Sequence, residues 1–333
     1  MSERLTRPLP WQQQQWQGLR DQIANNQLHH ALILSGSEGL GKVQFAHLLA
    51  QAILCQRPDK QLLPCQNCDA CHQFNAGFHA DFWHLGLTGN SRQLKIDDVR
   101  ALCEHLQLTS QSGGYKVVII ESAECLNVAA SNSLLKTLEE PSGTTLILLV
   151  THRIKKLLPT VRSRCVTTTF VPPSVEQGMD WLGQQLPESS NLELLLKLTG
   201  GSPVGARDLA QSGELEKRAG FIAALLSLAE AKADPVHEAT NWSDEPLLKL
   251  LHYHYLWLCD LSRIKLDCSV DLLTNVDYLD SLHSLAKRVG LDVLMESLLL
   301  NQNLATLAES QVATQSLLEQ LFIDWAKSTY PHI

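Results

Sequence analysis

Three neighbouring segments set the architecture of this chain: KVVII at Lys116–Ile120, SNSLLKTLEEPSG at Ser131–Gly143 and TTLILLVTH at Thr144–His152. The first and third are short apolar runs, which are typical of strands buried on both faces of a parallel sheet. In the middle segment, Asn132–Glu140 places three leucines on one helical face, and Pro141 ends the helix. The order strand, helix, strand predicts a right-handed crossover within a parallel α/β sheet.

The composition is that of a large globular chain with a moderate negative charge. Its 333 residues allow two or three domains, 44% of them are hydrophobic, and the formal net charge is -8. No apolar run reaches membrane-spanning length and no secretory signal is visible, so we expect a cytoplasmic protein without a membrane partner. The negative charge restricts any nucleic-acid contact to a local patch and favours a protein partner.

A phosphate-binding loop is indicated by the sequence GSEGLGK, which follows a predicted strand and opens a predicted helix. Its candidate residues are Gly36, Gly39, Gly41 and Lys42, of which the first, third and fourth match the pattern G-x-x-x-x-G-K. A loop that binds Mg²⁺ continues with Ser or Thr, but the next residue is Val43, which has no oxygen to ligate the metal. We favour a loop that only closes the strand-to-helix turn, and a working nucleotide site remains the alternative.

Four cysteines with metal-like spacing follow this loop, namely Cys55, Cys65, Cys68 and Cys71. Thiolates with two residues between them can share one tetrahedral ion, and four thiolates leave no open position for water, so the predicted role is structural. Zinc is favoured over a redox pair or an iron–sulfur cluster. The total of nine cysteines is odd in a large chain, which argues against a disulfide framework.

The sequence LLKTLEEP at Leu134–Pro141, followed by a strand, a threonine and the triplet Ser-Arg-Cys at Ser163–Cys165, resembles the bacterial clamp-loader subunits of DNA polymerase III. These are AAA+ proteins, and the resemblance covers roughly residues 10–210. The resembling family also carries a cysteine insertion, which strengthens the prediction of zinc.

The resemblance implies three domains. An α/β AAA+ domain of the phosphate-loop type, with a parallel sheet, would span residues 1–167 and carry the zinc insertion at about 55–71. A small helical lid domain would span 168–211, and an all-α collar domain would span 212–333. The collar prediction agrees with the Leu-rich amphipathic segments in this part of the chain, at about 214–231, 245–266, 276–289, 291–309 and 314–329.

Three positions depart from the pattern of the ATP-hydrolysing members. Val43 replaces the metal-binding hydroxyl, and Ser122 follows Glu121 where a second acid would orient the attacking water. Val204 stands where active members carry a sensor arginine in the lid. Thr151, at the end of a predicted strand, matches a phosphate-sensing position. The resemblance therefore implies a member with little or no ATPase activity of its own.

Arg164 of the Ser-Arg-Cys triplet is the remaining candidate for catalysis. In the resembling family this arginine reaches across a subunit interface to the terminal phosphate of ATP bound by the neighbour, as an arginine finger. A guanidinium suits this role because it stays charged and offers a rigid fork of donors. The alternative is a rim arginine in a surface ion pair, and Arg162 is expected to be a solvated neighbour.

Three classes of function follow. The favoured one is a clamp-loader subunit that joins gamma/tau and delta subunits in a ring of five and acts on the sliding clamp and primed DNA through that complex. The second is an active gamma/tau-like ATPase, which requires that all three departures be harmless. The third is an unrelated zinc-stapled nucleic-acid-binding module, which would leave the Ser-Arg-Cys and LLKTLEEP sequences unexplained.

Overall fold

The computed structural model describes residues 5–87, 91, 93–189, 191–308 and 312–330. The chain divides into two compact units. The first comprises Met1–Trp181 and Gly201–Gly205, and the second comprises Leu182–Gly200 and Ala206–Ile333. The finer division at residues 167 and 211 stays a prediction.

The first unit is built on a five-stranded parallel sheet. Its strands are β1 (Ala31–Ser35), β2 (Phe82–Leu85), β3 (Lys116–Ile120), β4 (Thr145–Thr151) and β5 (Val166–Thr169). They lie in the order β2-β3-β4-β1-β5, and every neighbouring pair is parallel. All residues of β1, β3 and β4 are buried, which explains why their sequences are apolar except at the strand ends. The parallel α/β sheet predicted from the sequence is confirmed.

Helices cover both faces of this sheet. They are α1 (Gln13–Ala24), α2 (Lys42–Leu54), α3 (Asp69–Ala76), α4 (Ile96–Gln107), α5 (Val128–Glu139) and α6 (Pro159–Arg162). Alternate strand residues belong to two core clusters, one with Trp16 and Phe45 of α1 and α2, the other with Leu102 and Leu134 of α4 and α5. The two-residue alternation of side chains along a strand produces this separation.

Two element boundaries differ from the prediction for identifiable reasons. Helix α5 begins at Val128, before the predicted start at Asn132, because the Asn127 side chain accepts a hydrogen bond from the Ala130 amide (2.8 Å) and caps the helix. The second strand, predicted over 79–87, begins only at Phe82, because residues 80 and 81 form a turn in which the Phe82 amide donates to the His79 carbonyl (3.1 Å).

The remaining helices follow along the chain. They are α7 (Val175–Gln185), α8 (Leu192–Leu198), α9 (Pro203–Gln211), α10 (Glu214–Ala229), α11 (Pro235–Asn241), α12 (Leu247–Lys265), α13 (Leu279–Arg288), α14 (Leu291–Leu307) and α15 (Thr314–Thr329). The helical C-terminal region is confirmed, and α11 is an addition to the predicted segments. Among the described residues, no helix is both long and apolar enough to cross a bilayer.

The core of the second unit contains a buried histidine. His254 on α12 is fully enclosed, its Nδ1 accepts a hydrogen bond from Asn301 Nδ2 (3.0 Å), and its ring lies edge-on to Trp325 at 5.4 Å. Burial lowers the pKa of His254 from 6.5 to about 3. The imidazole is therefore neutral in the folded protein over the whole physiological range.

The buried histidine predicts acid sensitivity of the second unit. Between pH 6.5 and 3 the unfolded chain protonates this imidazole and the folded chain does not, so the free energy of unfolding falls as the pH falls. From pH 7.5 to 5.5 this loss is about 1.4 kcal/mol. Denaturant titrations at both pH values should show that His254→Gln removes this increment, whereas the exposed His252→Gln keeps it. An equal pH dependence in both variants would contradict the assignment.

Candidate functional site

The phosphate loop connects β1 to α2, and its own lysine donates hydrogen bonds to carbonyl groups of the loop. Lys42 Nζ donates hydrogen bonds to the Gly36 and Ser37 carbonyls (2.8 and 2.5 Å) and to His152 Nδ1 (3.0 Å). The residue is only 2% exposed, and burial lowers the pKa of Lys42 to about 8 although the Glu124 carboxylate opposes the shift. All three donors of the ammonium group therefore have partners within the chain.

The outer side of the same loop is covered by protein. The Gly205 amide donates to the Gly39 carbonyl (3.2 Å), and a methyl group on Gly39 would lie 2.7 Å from the Gly205 backbone. The Gln12 side chain donates to the Leu40 and Gly41 carbonyls (2.8 and 3.0 Å). These contacts hold the loop in the shape of a phosphate cradle with bonds internal to the chain.

The acidic positions after β3 also have partners within the chain. Glu121 accepts a hydrogen bond from His84 Nε2 (3.1 Å), and this bond lowers the pKa of Glu121. Glu124 accepts from the His152 amide (3.1 Å), and Ser122 occupies a left-handed turn with φ of 54°. The structure thus brings Lys42, Glu121 and Glu124 together at the carboxyl ends of the strands.

His84 and His152 are site residues that the sequence reasoning missed. Burial and the neighbouring Lys42 ammonium lower the pKa of His152, so its ring can accept the lysine hydrogen bond. The available signal was positional, because His152 directly follows β4 and His84 lies near the end of β2. The carboxyl ends of parallel strands meet at one edge, where ligand sites of open α/β sheets lie.

The four predicted metal-binding cysteines lie together. Their sulfur atoms are all within 4.8 Å of one another, and Cys55 Sγ is 3.9 Å from Cys68 Sγ. Sulfurs around a tetrahedral zinc ion at Zn–S of about 2.3 Å stand about 3.8 Å apart, so the spacing fits such an ion. Cys55 follows the end of α2, and Cys68 caps α3, which contains Cys71. Two helix termini therefore fix the site, which can hold a metal ion.

The surroundings of these thiols differ in electrostatics. Hydrogen bonding from the Asn67 amide lowers the pKa of Cys65 to about 6, whereas burial raises the pKa of Cys71. Cys55 Sγ accepts from the amides of Arg57 and Cys65 (3.4 and 3.3 Å). Amide donors aimed at sulfur are the contacts that favour thiolates, the form that binds metal.

Arg164 lies between α6 and β5 and is held by two other elements. Its Nε and Nη2 donate to Glu139 Oε1 (2.7 and 2.5 Å), and its Nη1 donates to the Thr160 carbonyl (2.8 Å). The arginine side chain is 33% exposed, and Arg162 is exposed at the same rim. The contact joins the Ser-Arg-Cys triplet to the LLKTLEEP helix, the two sequences on which the resemblance depends.

Arg164 and the phosphate loop lie at opposite ends of the parallel strands. In the register of the β1–β5 pair, Leu32 faces Val166 and Ser35 faces Thr169. Arg164 precedes the start of β5, whereas the phosphate loop follows the end of β1, and a four-residue strand spans about 13 Å. The arginine therefore lies at the end of the strands away from its own phosphate loop and cannot serve that loop.

The comparisons with known proteins agree with each other. Two models, "DNA polymerase III, delta subunit" and "DNA polymerase III, delta subunit, C terminal", match residues 11–174 and 212–327. The DNA polymerase III subunit delta' of Pseudomonas aeruginosa is 35% identical over 331 residues, covering 97% of this chain and 98% of its own length. That of Escherichia coli is 31% identical over 270 residues, covering 80% and 79%.

A solved structure of a DNA polymerase III gamma subunit-related protein from Thermotoga maritima covers 95% of this chain and 99% of its own. The two chains are 20% identical, with a TM-score of 0.44. The sequence matches are sufficient, because they extend over nearly the whole chain and include both units. On these grounds the chain belongs to the family of DNA polymerase III delta' subunits.

Proposed function

We propose that this chain is a non-hydrolysing subunit of a clamp loader and supplies Arg164 to ATP bound by a neighbouring subunit. The observation that carries the proposal is that Arg164 lies at the end of the parallel strands opposite to its own phosphate loop. A guanidinium there can only address a phosphate that another chain brings to it. Rigid donors that stay charged suit this task, because phosphoryl transfer depends on stabilising charge at the terminal phosphate.

The names of the relatives support the proposed partners. The relatives are named as subunits of DNA polymerase III. In the proposed assembly, the chain joins gamma/tau-type and delta-type subunits in a ring of five that loads a sliding clamp onto primed DNA in the cytoplasm. The chain touches clamp and DNA through that complex, in keeping with its net charge of -8, which opposes independent DNA binding.

The proposed lack of ATPase activity has a physical basis at the phosphate loop. Lys42 is saturated by two loop carbonyls and His152, and Glu121 is engaged by His84. Val43 offers no oxygen for Mg²⁺, so a bound nucleotide would lack the metal that neutralises its phosphates. The gamma/tau-like alternative requires these contacts to break and the metal to bind without that hydroxyl.

The four-cysteine site is proposed to hold a structural zinc ion. A complete set of four protein sulfurs leaves no position for water or substrate, so the ion would brace the segment between α2 and α3 and take no part in chemistry. When bound, it would tie Cys55 to Cys71 and fix the start of α3.

A turnover assay tests the proposal. We expect the purified chain to hydrolyse ATP at less than about 1% of the rate of a complex reconstituted with gamma-type and delta subunits, because its own site lacks the metal ligand and base. The control is the gamma-type subunit alone, which retains its own site residues. Turnover by the isolated chain that matches the gamma-type subunit would establish the motor alternative instead.

A further inference from the structure

Glu139 occupies an unusual place for a carboxylate. It is the last residue of α5 and is followed by Glu140, so two acidic side chains stand at the helix C-terminus. Helix dipoles favour cations at that end, so local helix energetics do not explain an acidic residue there. The contact that Glu139 makes is instead with the guanidinium of Arg164, 25 residues further along the chain.

The contact fixes one edge of the guanidinium. Nε and Nη2 both donate to Glu139 Oε1, and Nη1 is anchored separately by the Thr160 carbonyl and by Ser163 Oγ (3.3 Å). A guanidinium has five N–H groups, and these contacts use four at most, so one Nη2 hydrogen is available to an outside acceptor. The plane of the arginine is thereby set by α5 and α6 before any partner arrives.

We propose that Glu139 is a positioning residue for Arg164, holding its Nε–Nη2 edge so that the remaining Nη2 hydrogen faces the phosphate of a neighbouring subunit's ATP. The inference rests on the proposed function of Arg164. A flexible arginine loses rotamer freedom when it engages a phosphate, and anchoring it in advance reduces that loss. The benefit appears in the transition state, where charge on the transferring phosphoryl group must be met in a fixed geometry.

The test measures ATPase kinetics of the reconstituted complex, with single-turnover measurements to resolve the site beside this chain, for Glu139→Ala and Glu139→Gln, and for Glu140→Gln as the matched control. Glu140 is the adjacent exposed carboxylate and shares the same helix terminus. We expect Glu139→Ala to lower kcat about tenfold with an almost unchanged KM for ATP, since mispositioned groups lose transition-state stabilisation. Glu139→Gln should retain part of the activity because its amide oxygen still accepts from Arg164. The control should match the unmodified chain.

A double variant separates positioning from simple stabilisation. Glu139→Ala combined with Arg164→Ala should be no slower than Arg164→Ala alone, because the carboxylate acts only through the arginine. Thermal unfolding and complex assembly of Glu139→Ala should match the unmodified chain.

Additive losses in the double variant, unchanged kcat in Glu139→Ala, or a higher kcat would overturn the positioning role. A higher kcat would show that Glu139 restrains the arginine instead. If Arg164→Ala itself leaves turnover unchanged, the proposed function fails, whereas a large effect of Arg164→Ala with none of Glu139→Ala refutes the positioning role alone.

Discussion

Arg164→Ala is expected to lower ATP turnover by about 10³-fold at the neighbouring site to which this chain is proposed to contribute, while the complex still assembles. The physical reason is charge. The terminal phosphoryl group spreads negative charge over its oxygens in the transition state, and a finger arginine is the cation that meets it from outside the nucleotide-binding subunit. In a complex with several nucleotide sites, single-turnover measurements resolve the affected site, and clamp loading onto primed DNA should fall with it.

The matched control for this experiment is Arg162→Ala. Arg162 is an exposed arginine two residues earlier, at the end of α6. Its substitution by alanine removes the same charge from the same part of the surface. A specific role predicts near-normal turnover in this variant, whereas a general electrostatic effect predicts similar losses in both. An Arg164→Ala complex that assembles and loads clamps at the normal rate would contradict the arginine-finger hypothesis.

Cys68→Ser is expected to abolish metal binding and to destabilise the first unit by several kcal/mol, less than the roughly 10–16 kcal/mol by which zinc binds zinc-finger peptides. The serine cannot replace a thiolate at zinc, and the remaining sulfurs leave an open tetrahedron. Elemental analysis should give about one zinc per unmodified chain and almost none in the variant. Denaturant unfolding with and without a chelator measures the stability change, and the chelator should have no further effect on the variant.

The control is Cys103→Ser. Cys103 on α4 is a buried thiol outside the cluster, and its Sγ donates to the Ser133 carbonyl (3.6 Å). This variant should keep the metal. A visible absorption band with iron in the unmodified chain would replace zinc with an iron–sulfur cluster. A metal-free chain with chelator-insensitive stability would leave the redox interpretation of the thiols.

Much of the fold could be predicted because its determinants are local. The parallel sheet could be predicted from the apolar runs of β3 and β4 and from the leucines of α5, since full burial on both faces of a sheet requires such strand sequences. The boundaries were less accurate, as at α5, because a cap such as Asn127 satisfies amides that hydrophobic periodicity does not report. Helix α11 was missed because its sequence, PVHEATN, is short and carries little apolar periodicity.

By itself, the sequence determined which chemistry is available. The cysteine spacing predicted a four-sulfur site, and Val43 cannot supply the hydroxyl that binds Mg²⁺ in a phosphate loop. The expected roles of Ser122 and Arg164 came from the resemblance to clamp-loader subunits. The first two conclusions depend only on residue types and short spacings, so no contact between distant parts of the chain was required to reach them.

Only the tertiary structure decided where these groups act. Strand register places Arg164 at the end of the strands opposite to its own phosphate loop. The packing of α5 brings Glu139 to the guanidinium of Arg164. Lys42 meets His152 although 110 positions separate them in the chain. Such contacts arise from the way the strands and helices pack, which short sequence patterns do not encode, because a pattern fixes the face of an element and not the partner that the face will meet.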